Sequence, residues 1–360
     1  MSASDRLYLD HAATTPVLAE AQAAMAHALQ DWANPSSPHG DGRRARSALE
    51  DARRAIAAAL GWRHDVILTS GASEAIQIVA ARAKAQRRVL GPTEHDAVVA
   101  AMGSAAELLS IDGSGLIELD DLRAKLAGGP ALVAIQLVNN ETGVIQPIEQ
   151  CREIVHDAGS VLLVDCAQGA GKIPLPDADF IAISGHKFGA SPGTGALLVR
   201  DLAALDASGG QERGYRRGTE NLPAAAGMAA ALESRAFADA MPGLAALRQH
   251  LEKEIVTSGG VVIASDAPRI ATIGAYAMPG VASASQLVQL DLAGISVSAG
   301  SACSSGSMKP SRVLAAMGVP EDVAASVIRV SFGPTTSEAD IERFLGEWRR
   351  LKNRAKAEAA

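Results

Sequence analysis

Two titratable side chains stand directly after apolar runs that predict buried strands. Lys187 follows Ser184-Gly185-His186, and Asp165 ends the run Val161-Leu162-Leu163-Val164. A lysine amine at such a strand end is desolvated, which favours the neutral form that carbonyl chemistry requires. A partly buried carboxylate needs a cationic or hydrogen-bonding partner, and a protonated pyridinium nitrogen is one such partner. Alone, each residue also fits an ordinary role, as a solvated surface lysine and as a helix N-cap or salt-bridged aspartate.

Two further segments are suited to binding an anion. Gly71-Ala72-Ser73-Glu74 leads from a predicted strand into a helix, where backbone N–H groups face an anion at the helix N-terminus. Residues 213–221, Arg-Gly-Tyr-Arg-Arg-Gly-Thr-Glu-Asn, form a basic loop that is suited to a phosphate or a carboxylate. The alternatives are an ordinary serine N-cap for the first segment and a solvated surface loop for the second.

Cys303 lies in a stretch of small and polar residues, 298–307, that is too polar to bury a thiol in a core. Free cysteines are usually buried and inert, so a cysteine on a Gly/Ser loop is a candidate nucleophile. The alternative for this stretch is an interdomain linker. Cys151 falls within a helical pattern and Cys166 follows Asp165, and we interpret both as structural.

The elements that must position these residues begin near Asp65, where apolar β-branched runs start to alternate with helical patterns. This alternation predicts an α/β fold with a mostly parallel sheet and helices on both faces. Ligands of such sheets bind at the carboxyl ends of the strands. Four polar clusters follow predicted strands there, at 69–74, 139–141, 165–168 and 184–187.

An Ala-rich helical stretch from Leu222 to Ile255, predicted to break near Pro242-Gly243, precedes a shorter C-terminal α/β unit. We therefore expect a large domain over residues 12–240. Residues 1–11 and 241–360 are expected to form a small domain that carries the Cys303 loop.

The composition of the chain limits the classes of function. The 360 residues are 48% hydrophobic and 20% charged, which is typical of a globular protein, and the net charge of −7 argues against general binding to nucleic acid or to an anionic membrane. Residues 1–30 lack the pattern of a signal peptide, and three widely separated cysteines suit a reducing compartment, so a cytoplasmic location is predicted. Neither Cys-x-x-Cys nor His-Glu-x-x-His occurs, so no resident metal site is predicted.

Taken together, the clusters resemble the cysteine desulfurases, a branch of the class V pyridoxal-phosphate (PLP)-dependent aminotransferase family with fold type I. The resemblance covers nearly the whole chain, and the ordered set of motifs is specific although each motif alone is weak. Besides the clusters above, the motifs are Tyr8-Leu9-Asp10-His11-Ala12-Ala13-Thr14-Thr15-Pro16, Asn34-Pro35-Ser36-Ser37, Thr93-Glu94-His95, Val138-Asn139-Asn140-Glu141-Thr142-Gly143-Val144, Ser301-Ala302-Cys303 and Ile328-Arg329-Val330-Ser331.

The resemblance implies a role for each site residue. Lys187 would bind PLP as a Schiff base, Asp165 would hold its pyridinium nitrogen, and Gln168 would contact its ring oxygen. His95 would stack on the ring and assist as an acid or a base. Arg329 would pair with the substrate carboxylate. The residues implied to hold the phosphate are Ala72, Ser73, Ser184, His186 and, from a second subunit, Thr219, while Asn140 would contact cofactor or substrate.

The resemblance also implies the reaction. The Cys303 thiolate would attack the sulfur of L-cysteine, leaving alanine and a persulfide that passes to an acceptor such as an iron-sulfur scaffold. The length of the Cys303 loop resembles that of the iron-sulfur and nitrogenase group. Cys303 could also ligate a nascent iron-sulfur cluster transiently, and a homodimer is implied.

The chain departs from the family pattern in three places. Ser73 stands where threonine is common, residues 188–193 replace a Gly-Pro-Lys-Gly run, and few residues follow Trp348-Arg349-Arg350-Leu351, where many relatives have a longer tail that docks a cluster scaffold. The alternatives within PLP chemistry are selenocysteine lyase, cysteine-sulfinate desulfinase and a plain aminotransferase. Outside it they are an inactive partner-binding homologue and a cysteine hydrolase that uses Cys303.

Overall fold

A computed structural model describes residues 6–299 and 311–359 of the chain. The predicted nucleophile Cys303 lies outside the described residues. The strands of the described ranges are β1 Leu7–Tyr8, β2 Asp65–Thr69, β3 Arg87–Leu90, β4 Glu107–Leu108, β5 Ala131–Gln136, β6 Val161–Asp165, β7 Phe180–Ser184, β8 Gly195–Val199, β9 Val261–Val262, β10 Ile273–Ala277, β11 Ile295–Ser296 and β12 Val327–Ser331. The helices are α1 Ala19–Gln30, α2 Gly40–Ala59, α3 Ala72–Arg82, α4 Asp96–Met102, α5 Leu119–Leu126, α6 Ile148–Asp157, α7 Leu222–Glu233, α8 Ala236–Thr257, α9 Ser283–Leu292, α10 Arg312–Ala316, α11 Glu321–Ala324 and α12 Glu338–Ala359.

Seven of these strands form the central sheet of the described chain, in the order β2-β8-β7-β6-β5-β3-β4. The pairs β7–β6, β6–β5, β5–β3 and β3–β4 are parallel, whereas β8 runs antiparallel to both of its neighbours. Strands β5, β7 and β8 are buried along their whole length because helices cover both faces of the sheet. The predicted α/β fold with a mostly parallel sheet is confirmed.

Two smaller sheets lie later in the chain. The first has the order β12-β10-β9 and is antiparallel, and the second pairs β1 with β11 in parallel. Their hydrophobic core contains Leu9, Tyr276, Ile328, Phe344 and Trp348, each almost fully buried. The N-terminal strand therefore packs with C-terminal elements, while the domain boundaries at residues 11–12 and 240–241 stay a prediction.

The predicted helix break at Pro242-Gly243 is wrong. The helix α8 continues through Pro242, and the chain breaks earlier, where Arg235 takes a left-handed backbone conformation with φ of +54°. Phe237 and Leu244 are buried on either side of the proline, in the core of the central sheet and in the core of the smaller sheets. Their packing outweighs the roughly 3 kcal/mol that a proline costs inside a helix.

No helix of residues 6–299 and 311–359 combines the length and the apolar character that crossing a lipid bilayer requires.

Candidate active site

A cavity of about 550 Å³ opens at the carboxyl ends of the central strands. The sequence-predicted residues that line it are Ala72, Ser73, His95, Asn140, Asp165, Gln168, Ser184, His186, Lys187 and Arg329. Thr219 is exposed and is not among the lining residues of this chain. Five of the six segments to which the predicted lining residues belong follow strands of the central sheet that end at one edge, whereas Arg329 comes from β12 of a smaller sheet.

Lys187 reaches the cavity from a short 3-10 turn, Gly185–Lys187, that follows β7. Its Nζ atom donates hydrogen bonds to the carbonyl oxygens of Ala12 (2.7 Å) and Ala13 (2.8 Å). The turn is tight because Gly185 has no side chain: a Cβ atom there would lie 2.7 Å from Cγ2 of Thr194. The amine is therefore held by carbonyl groups at the cavity wall, where an aldehyde carbon can reach it.

Asp165 ends β6 and is 8% exposed. Its Oδ1 atom accepts a hydrogen bond from the backbone N–H of Ala167 at 2.9 Å. Burial raises the pKa of the carboxyl group, while that hydrogen bond and electrostatic interaction with the His95 and Lys187 side chains act in the opposite direction. A cationic ring nitrogen beside this carboxylate would offset the cost of its burial.

His95 occupies the N-cap position of α4, between the helix and the cavity. Its Nδ1 atom accepts a hydrogen bond from the backbone N–H of Ala97 at 3.1 Å. Since Nδ1 is an acceptor, the neutral imidazole carries its proton on Nε2. The side chain can therefore donate a proton from Nε2.

The anion-binding end of the cavity is built on the start of α3. Gly71 caps this helix. A Cβ atom on Gly71 would lie 3.7 Å from Oγ of Ser184, in the space between the start of α3 and the end of β7. Burial, with the nearby charges of Lys187 and Lys172, lowers the pKa of His186 to about 4. The imidazole is therefore neutral at neutral pH, and this end presents hydroxyl, imidazole and helix N–H groups to an anion.

The arginines of the basic loop 213–221 are already bound within the chain. Arg213 pairs with Asp65, and Arg216 Nε donates to Oε1 of Glu74 at 2.9 Å. Arg217 donates to the carbonyl oxygen of Ser208 at 3.0 Å. These contacts leave the serine, histidine and helix-terminal groups as the anion site of this chain.

Arg329 lies in β12, lines the cavity and is 5% exposed. One Nη atom donates to Oδ1 of Asp10 at 2.9 Å, and the other donates to the carbonyl oxygen of Asn140 at 3.0 Å. Its Nε atom is buried and has no hydrogen-bond acceptor among the described residues. The remaining N–H groups suit a carboxylate ligand.

Sequence reasoning missed three polar residues of this region. Glu94 is buried beneath the site and accepts a hydrogen bond from the N–H of Gln136 at 2.8 Å, and burial raises its pKa well above the usual value. Lys172 is a buried lysine near Gln168. Glu94 and Asp10 belong to motifs that carry the family resemblance. For Lys172, the only signal in the sequence is its position shortly after Asp165.

PLP fits this set of residues by its chemistry. An aldehyde requires an amine, which Lys187 supplies, and a pyridinium nitrogen requires a buried carboxylate, which Asp165 supplies. The phosphate requires N–H and hydroxyl donors at a helix N-terminus, which α3 and Ser184 supply. The cavity also holds a buried arginine for the carboxylate of an amino acid.

Comparisons with known proteins agree with this fit. The family model for class-V aminotransferases matches residues 7–344. A cysteine desulfurase of Cereibacter sphaeroides is 35% identical over 95% of this chain and 94% of its own length, and one of Gluconacetobacter diazotrophicus is 34% identical over 94% and 91%. The X-ray structure of a NifS-like protein from Rickettsia africae superposes with a TM-score of 0.86 at 29% identity, covering 97% of this chain and 99% of that one. The chain belongs to the class-V aminotransferase family of PLP-dependent enzymes.

Proposed function

We propose that the protein is a cysteine desulfurase, which converts L-cysteine to L-alanine and passes the sulfur to Cys303. The observation that carries the proposal is the convergence of Lys187, Asp165 and Arg329 on one cavity. Similarity to relatives named cysteine desulfurase over most of the chain supports the choice of reaction. When bound, PLP supplies an electron sink that stabilises negative charge on the substrate carbon.

The residues of this chain would divide the remaining work. Arg329 would bind the substrate carboxylate with the N–H groups that Asp10 and Asn140 do not use. The Nζ atom of Lys187 would remove the α-proton and carry it to the cofactor. His95 would donate from Nε2, since its Nδ1 atom is held by α4.

Cys303 would carry out the sulfur transfer, because it is the cysteine of a Ser-Ala-Cys motif like that of the family. Its thiolate would attack the substrate sulfur, so that an S–S bond forms while the C–S bond breaks. The electron pair of the broken bond stays with the carbon skeleton, which takes up protons and leaves as alanine. The sulfur remains as a persulfide on Cys303 for an acceptor protein such as an iron-sulfur scaffold.

A homodimer is part of the proposal. Thr219 is exposed on this chain and does not line its own cavity, which agrees with a role at the phosphate of a second subunit. A reducing, cytoplasmic location suits a persulfide enzyme, and Cys151 and Cys166 are free thiols.

Covalent mapping of the cofactor tests the proposed site. The protein is loaded with PLP and reduced with borohydride, and the labelled peptide is identified by mass spectrometry. We expect the label on Lys187 and none in a Lys187→Ala variant. A label on Lys172, the nearby buried lysine, would overturn the assignment of Lys187.

A further inference from the structure

Lys172 is a buried amine that the proposed reaction does not use. It lies in the turn after β6 and is 3% exposed. A lysine is rarely buried to this extent without a carboxylate partner. Here the Nζ atom has instead one long hydrogen bond, 3.5 Å to Oε1 of Gln168, and lies 5.0 Å from the ring centroid of Phe237.

The contact with Gln168 links Lys172 to the amine of Lys187. Oε1 of Gln168 faces Lys172, so the amide nitrogen faces the other way and donates to the carbonyl oxygen of Ala12 at 2.9 Å. The same carbonyl oxygen accepts from Nζ of Lys187 at 2.7 Å. The orientation of the Gln168 amide and the place of Lys187 therefore depend on one shared acceptor.

Charge links the two lysines as well. Burial and the charge of Lys187 lower the pKa of Lys172 to about 7. The other titratable groups that respond to Lys172 are His11 and His186, and its charge lowers the pKa of each. Because the interaction is mutual, a charged Lys172 disfavours a second positive charge on Lys187.

We propose that Lys172 is a positioning residue of the cofactor site, which fixes the Gln168 amide and, in its charged form, disfavours protonation of the nitrogen of Lys187. A neighbouring cation is one of the ways in which proteins keep a reactive lysine neutral. The inference rests on the proposed PLP site. It gives a function to an amine whose burial costs free energy of folding.

Two variants separate the roles of hydrogen bond and charge. Lys172→Met removes both, whereas Lys172→Gln removes the charge and keeps an N–H group for Oε1 of Gln168. We expect both to be at least as stable to urea as the parent, because a buried charge is removed. In both, the pH midpoint of the visible absorption of bound PLP should rise by about one unit.

The affinity for PLP should distinguish the two variants. Lys172→Met should weaken binding by about tenfold, the loss expected for one hydrogen bond from a charged donor, and Lys172→Gln should restore most of it. In a Gln168→Ala background, Lys172→Met should have no further effect on affinity.

Each outcome decides the inference. Unshifted midpoints in both variants, or an equal loss of affinity with and without Gln168, would overturn it. Unfolding of both variants would overturn it too, because Lys172 would then be structural. The parent protein is the control: if it binds no PLP, the proposed function fails, whereas a normal parent with unaffected variants defeats the role of Lys172 alone.

Discussion

Gly195 links the packing of the central sheet to the anion-binding end of the cavity. It begins β8, between Thr69 of β2 and Ser184 of β7. A Cβ atom at this position would clash with the carbonyl oxygen of Ile183 and lie 2.6 Å from Cα of Gly71, the capping residue of α3. Ordinary contacts begin near 3.4 Å, so Gly195→Ala requires Gly71 to move by about 0.8 Å.

The expected effect of Gly195→Ala has two parts. Overpacking against two backbone segments should lower the free energy of unfolding by about 1–3 kcal/mol. The displaced helix start should also weaken the affinity for PLP by roughly tenfold or more, since an error near 1 Å in a positioning group is costly. Urea denaturation of the PLP-free protein measures the first part, and titration of the visible PLP absorption measures the second.

Gly346→Ala is the matched control. Gly346 is exposed on α12, and a Cβ atom there meets nothing within 4 Å. Replacing glycine inside a helix should therefore raise the free energy of unfolding by about 0.5–1 kcal/mol and leave PLP binding unchanged. Equal stability and equal PLP affinity of Gly195→Ala and the parent would refute the reasoning.

Three other changes have defined outcomes. Asp165→Asn should keep the urea midpoint or raise it, because a buried carboxylate is neutralised, while alanine formation falls by roughly 100-fold; parent-like turnover would contradict the role of Asp165. Glu212→Gln should lower the free energy of unfolding by about 1.5–3 kcal/mol, because Arg53 loses its buried counter-charge at 2.6 Å but keeps Glu50, and an unchanged urea midpoint would be inconsistent with this. Burial lowers the pKa of His11 to about 4, below its unfolded value, so the folded state excludes a proton and stability falls as pH drops from about 6.5 to 4. His11→Gln should reduce this pH-dependent loss by about 3 kcal/mol, and identical pH dependence of the urea midpoint would refute it.

The bounds of a strand are predicted best from the sequence where the strand is buried on both faces of the sheet and is therefore a continuous apolar run. Apolar runs predict strands over Val161–Asp165 and Phe180–Ser184, and apolar residues at helical spacing predict helices over Leu119–Leu126 and Ile148–Asp157. The structure has all four elements with these bounds. Two-residue strands such as β11 form only because a distant segment pairs with them, so a local pattern does not signal them.

Other features depend on tertiary packing. The helices Ala19–Gln30 and Gly40–Ala59 precede the first predicted element and were not predicted, and both pack against α7. The apolar spacing predicts a helix over His95–Ala106, but α4 begins at Asp96 and ends at Met102, because Gly103 takes a positive φ of +83°. Contacts between residues that are far apart in sequence leave no local pattern either. The pairing of Asp10 with Arg329, for example, joins opposite ends of the sequence.

Some residues of the candidate site could be predicted from local sequence patterns, and others could not. Lys187, Asp165 and the start of α3 follow strands, so the rule that ligands bind at strand ends predicts their convergence. Lys172 and Glu94 do not directly follow a predicted strand, and their burial results from tertiary packing that no local pattern indicates.

Incubation of the PLP-loaded protein with L-cysteine tests the central claim most directly. Alanine is measured, and the cysteine peptides are analysed by mass spectrometry without reductant. We predict alanine formation that depends on PLP, with one added sulfur atom on Cys303. Cys303→Ser should bind PLP and form no persulfide. Alanine formation that persists in this variant, or a persulfide found only on Cys151 or Cys166, would contradict the account.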